Sequence, residues 1–182
     1  MTPVLIGYFP KHSLQRPDWL RNRGVEEICS VSCCISEAPE GWIDFWRHNE
    51  CWAFNTQELA WSVVPAERRA DFQLYAYKMF PVGFEHGRRT DREFPKLDVE
   101  PLPPSFVRIG YDAVSRDQTP MFECSPLSCN GLAEDHTVNR YCLVDTEEAA
   151  LQLALECSIS EPEPGAYFVI QVWRLREGLP HS

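Results

Sequence analysis

The stretch Asp145–Cys157, DTEEAALQLALEC, decides the class of fold, because it carries the strongest helix signal in the chain. Asp145 stands where a helix cap belongs, and Glu148 follows it at the spacing of a capping box. Ala149, Ala150, Leu153, Ala154 and Cys157 then recur at helical spacing and predict one buried stripe. Before this helix, Asn139–Val144 reads as a strand. After it, Pro162, Pro164 and Gly165 make a turn, and Tyr167–Leu175 reads as a strand apolar enough to be central in a sheet.

A weaker copy of the same order lies upstream. Asn55 or Thr56 caps a helix whose apolar positions are Leu59, Ala60, Val63 and Val64, closed by Pro65. Phe72–Phe80 alternates as a half-buried strand does, and Pro81 and Gly83 are read as its end. Val4–Phe9, Glu27–Ile35 and Phe106–Tyr111 read as further strands, and Phe122–Cys124 as a short one.

Ile6–Gly7–Tyr8 matches Ile109–Gly110–Tyr111. Cys29, Ser30 and Cys33 match Cys124, Ser125 and Cys129. Asn49, Cys51 and Asn55–Thr56 match Asn139, Cys142 and Asp145–Thr146. The series predicts an α+β protein: two diverged strand–helix–strand repeats forming one compact unit with a mixed or antiparallel sheet. Residues 1–84 are the first repeat lobe, 85–104 a polar, proline-rich linker, and 105–182 the second lobe. A groove between the halves is the expected place for a ligand or partner.

Composition narrows the function. The 182-residue chain has 27 acidic against 17 basic residues, a formal charge of -10, so nucleic acid is not an expected partner. No apolar run approaches the length of a spanning helix, and no secretory signal precedes Val4, so a cytoplasmic protein without membrane contact is expected. The eight cysteines are then read as free thiols in a reducing compartment. Most serve as small buried apolar groups.

Three constellations carry possible chemistry. Cys124, Cys129, His136 and Cys142 offer soft ligands of the kind zinc takes, but the gap between the first two is loose and contains Pro126. Cys29, Cys33, His48 and Cys51 repeat that order in the first half. Cys124, Cys129, His136 and Arg140 are the candidate catalytic residues of a small enzyme working in the groove. Trp42, Asp44, Trp46 and Glu50 mix aromatic and acidic groups as binding surfaces do. No glycine-rich phosphate loop, nucleophile elbow or zinc-helix motif is present, and no cofactor is implied.

The leading expectation is therefore a small acidic intracellular protein that binds and regulates, or neutralises, another protein with a basic or neutral surface. A bacterial toxin antagonist fits that description. It would act as a monomer or homodimer. The alternatives are the small enzyme and a zinc-stabilised structural module.

Overall fold

The structure is a computed structural model that describes residues 2–12, 14–31, 39, 48–116 and 124–176. Along the chain its strands are β1 (Val4–His12), β2 (Leu14–Gln15), β3 (Glu27–Ile28), β4 (Phe72–Glu85), β5 (Arg88–Asp91), β6 (Phe106–Arg116) and β7 (Ala166–Leu175). Its helices are α1 (Gln57–Ser62), α2 (Pro126–Cys129) and α3 (Glu147–Ser160). The protein is α+β, and the pairings of these strands are antiparallel. The main sheet runs in the order β1-β4-β7-β6, with β5 folded back on the end of β4.

Alternation along the strands sorts the core into two layers. Leu74, Ala76 and Phe80 of β4, with Tyr167 and Val169 of β7, face the side where α1 and α3 lie. Tyr75, Tyr77 and Met79, with Phe168, Ile170 and Val172, face the other side. There Cys29, Val31, Cys51 and Leu143 cover them from turns rather than from helices. The α3 stripe is Ala150, Leu153, Ala154, Cys157 and Ser158; Ala149 is exposed.

The two outer strands are held by matching devices. Asn49 Nδ2 donates to Ile6 O and Asn55 Oδ1 at 2.9 and 2.8 Å, while its Oδ1 accepts from Cys51 N and Ala53 N. Asn139 Nδ2 donates to Ile109 O and Asp145 Oδ1 at 2.8 and 2.9 Å, while its Oδ1 accepts from Tyr141 N and Leu143 N. Each turn then pairs with its outer strand, Tyr8 with Phe54 and Tyr111 with Val144. Trp52 and Cys142 take positive φ, 56° and 59°, in the corresponding places. The Asn49 set thus aligns Cys51 with Tyr141, and Cys142 with Trp52 rather than with Cys51.

Glycine is required opposite both turns. Gly7 and Gly110 have φ of +139° and +153° and sit at register shifts in β1 and β6. A Cβ at Gly7 would lie 2.7 Å from Ala53 Cβ, and one at Gly110 would lie 2.7 Å from Leu143 Cβ.

Several element boundaries differ from the sequence reading. β1 runs through Pro10 to His12, because an edge strand tolerates a residue without an N–H. β4 runs past Pro81 and Gly83 to Glu85, absorbing them in a register shift between Met79 and Gly83. The segment read as a linker contains β5. Asn139–Val144 is a turn, not a strand, since the Asn139 side chain takes backbone groups that a ladder would use. Of the strand expected over Glu27–Ile35, Glu27 and Ile28 pair with β2, and residues 32–35 lie outside the described residues. The cap of α3 is Thr146, whose Oγ1 accepts from Ala149 N at 3.1 Å. The Asp145 carboxylate is already engaged by Asn139. Thr56 caps α1 in the same way, through Leu59 N.

Candidate functional site

Of the expected binding surface, Trp42, Asp44 and Trp46 lie outside the described residues. Glu50 is exposed at the tip of the Asn49 turn. The residues proposed for catalysis face different surroundings. Arg140 pairs with Glu26 at 2.5 Å and lies over the Tyr141 ring, largely in solvent. His136 approaches Glu156 of α3 at 3.9 Å. Cys124 is buried, and its carbonyl accepts from Ser115 N. Cys129 ends α2 and is half-buried.

Cys142 is fully buried, and its thiol is pushed up to about 12, mainly by burial and further by nearby Asp112 and Cys29. Such a thiol is neither a nucleophile nor a ready zinc ligand at neutral pH. Among the described residues no three His, Cys, Asp or Glu side chains come together as a metal-ligand set. Nor is any helix among them long and apolar enough to cross a membrane.

The structure assembles two polar groupings that the sequence reading missed. The first is sealed inside the turn-covered layer. Asp112 of β6 accepts from Ser125 Oγ and from Val31 N, both at 2.7 Å. Lys11 of β1 donates to Ser30 O at 2.8 Å, and the Ser30 hydroxyl bonds that of Ser128 at 2.6 Å. Burial pushes the Asp112 carboxyl up to about 6, against the Val31 and Ser125 hydrogen bonds and the attraction of Lys11. All five side chains are buried. The network ties β1, β6, α2 and the segment after β3 together. Its sequence signal was an aspartate inside the otherwise apolar run of β6.

The second grouping is cationic. Arg116, at the end of β6, is only 5% exposed. Its guanidinium is lowered to about 10, chiefly by burial and next by the charge of Arg92, while the Cys51 thiol, hydrogen-bonded to Arg116, acts the other way. Arg92 follows β5 and lies over the Phe94 and Phe168 rings, 5.9 and 5.7 Å from their centroids. Its Nε is buried without a hydrogen-bond partner. Arg174 meets Glu27 at 2.7 Å and Arg89 meets Asp91 at 3.0 Å.

Comparison with known proteins finds no matching family model, no matching curated protein and no matching solved structure. The functional reading therefore rests on the residues of this chain.

Proposed function

We propose that this chain is a small acidic protein-binding protein of the cytoplasm, which regulates or neutralises a partner with a basic or neutral surface, as a toxin antagonist does. The observation that carries the reading is the outer side of α3. Glu148, Gln152, Glu156 and Ile159 are exposed and share one helical face by their spacing. Ile159 is 67% exposed at the C-terminal end of this face, an apolar group beside exposed Glu156 and Glu161. Acidic groups speed encounter with a basic partner, and apolar contacts hold it. In this reading Trp42, Asp44, Trp46 and Glu50 add anchoring contacts.

The same reading takes the two halves as diverged copies of one unit. Its support is the parallel between the Asn49 and Asn139 turns, the Gly7 and Gly110 register shifts, and the Thr56 and Thr146 caps. Residues 1–84 and 105–182 are then the two copies. Their strands join through the antiparallel pairing of β4 with β7.

The test is capture of a partner from an extract of the source cells by the wild type and by two variants. Glu148→Lys combined with Glu156→Lys should slow association and flatten its salt dependence, while costing about 1–2 kcal/mol of stability, since Glu148 lies in the first turn of α3 and Glu156 accepts from Gln152, so the variant stays folded. Trp46→Ala should weaken binding by about 2 kcal/mol if it is a hot spot. Equal capture of the same partner by all three proteins would overturn the proposal.

A further inference from the structure

The loop that joins β2 to β3 displays a tryptophan that the core does not use. Trp19 is 52% exposed, and with Val4 and Ile159 it makes up the large apolar side chains exposed among the described residues. An indole left in water forgoes the burial that makes tryptophan stabilising, so its place is informative if the loop around it is fixed. This loop is fixed. Leu20 and Val25 are buried in the core. Leu20 N–H donates to Pro17 O at 3.1 Å and Val25 N–H to Asn22 O at 3.2 Å, which closes two turns. Arg16 Nη1 donates to Leu20 O and Asn22 Nδ2 to Ala133 O, both at 2.6 Å. Arg21 N–H donates to Glu134 Oε1 at 3.0 Å. Trp19 is thus presented on a backbone held from both sides.

The charge of this loop is opposite to that of the whole chain. Residues 16–25 hold Arg16, Arg21 and Arg23 against Asp18 alone. Arg21 and Arg23 are exposed, and neither guanidinium makes an ion pair among the described residues. The flanking carboxylates are engaged elsewhere, Glu26 by Arg140 and Glu134 by the Arg21 backbone N–H. We infer that Trp19, Arg21 and Arg23 form a docking surface for a short acidic segment of another protein that also carries an aromatic side chain. Tryptophan and arginine are the residues that dominate interface centres. Carboxylates of the segment meet the two guanidinium forks, and its aromatic ring packs on the indole. Because the loop is already ordered, docking costs it little conformational freedom. Charge selects this occupant. A short segment brings a few carboxylates, whereas a second copy brings its full charge of -10 and nucleic acid brings a phosphate with every nucleotide, and the rest of the chain repels both.

The experiment is fluorescence anisotropy of a labelled short glutamate–tyrosine copolymer titrated with the full chain. Polyglutamate and oligothymidylate are run beside it, and the protein alone is examined by sedimentation. The expected result is saturable binding of the copolymer, weaker binding of both other polymers, and a monomer in sedimentation. Trp19→Ala should weaken copolymer binding about tenfold or more, as loss of an interface anchor does. Arg21→Gln and Arg23→Gln should each weaken it about threefold, the size of an exposed ion pair. Arg88→Gln, which removes an equal charge from the exposed strand β5, should bind like the wild type. Melting verifies that each variant folds. No saturable copolymer binding, equal binding by Trp19→Ala, or a loss in Arg88→Gln as large as in Arg21→Gln would overturn the surface. Tighter binding of oligothymidylate would assign it to nucleic acid instead, and a dimer that Trp19→Ala dissociates would assign it to a second copy; either result overturns the proposal.

Discussion

Replacing Asn139 with alanine removes one amide that holds a whole turn against the outer edge of the sheet. The side chain bonds Ile109 O at 2.8 Å, Tyr141 N at 2.9 Å and Leu143 N at 3.4 Å, all in partly buried surroundings. Asp145 Oδ1, its fourth partner, is exposed and finds water instead. Leaving three partly buried backbone groups unsatisfied costs about 1 kcal/mol each, less for the long Leu143 contact, so the loss should be about 2–3 kcal/mol. For a chain of this size that lowers the melting temperature by about 5–10 °C. Urea unfolding followed by tryptophan fluorescence reads the change.

Asn49→Ala should cost a similar amount, because the Asn49 side chain makes the corresponding four bonds. Aspartate separates the two sites. Asn139→Asp sets a carboxylate against that of Asp145, whereas Asn49→Asp faces the neutral Asn55 amide, which can turn to donate. The first should therefore be worse by about 1 kcal/mol, and acid should narrow the gap. Losses below about 0.5 kcal/mol for both alanine variants would refute the reasoning, since the bonds would then contribute no more than a surface contact.

Other outcomes follow from the same packing. Gly110→Ala and Gly7→Ala should each cost about 2–4 kcal/mol by urea unfolding, because each Cβ would meet a neighbour at 2.7 Å on a backbone of positive φ. Gly131→Ala, with φ of +72° and open space around its Cβ, should cost only about 1 kcal/mol. Asp112 links stability to pH. Its folded carboxyl titrates near 6 against 3.8 when unstrained, so the folded state holds the proton more tightly. Its contribution is then most favourable below 3.8 and falls by about 3 kcal/mol as pH rises to about 6, remaining level above that. The groups facing it are Lys11, Ser125, Tyr77, Cys142 and Cys157. The difference in stability between wild type and Asp112→Asn should show this fall between pH 4 and pH 7, and parallel curves would contradict it.

Sequence carried the elements whose signals are local. The α3 helix was legible from its cap region and its stripe, and β7 from its apolar length, because both depend on neighbours a few residues apart. What was not legible depended on tertiary partners. Asn139–Val144 has strand-like composition, yet the Asn139 amide captures the backbone of its own turn. Pro81 and Gly83 look like a strand end, yet β4 continues because β5 and β7 flank it on either side. The candidate site fared likewise. Cysteines and histidines drew attention by type, but His136 and Arg140 turn to different carboxylates, Glu156 and Glu26. Asp112 meets Val31 and Ser125 across separations in sequence that hint at no contact, which only the sheet brings about.

The most direct test of the protein-binding proposal is native mass spectrometry of the chain recovered gently from its own cells, without reductants or chelators. The account predicts a species heavier by the mass of a protein partner, lost on raising the salt. A bare monomer, or one carrying only a metal or a small molecule, would contradict it.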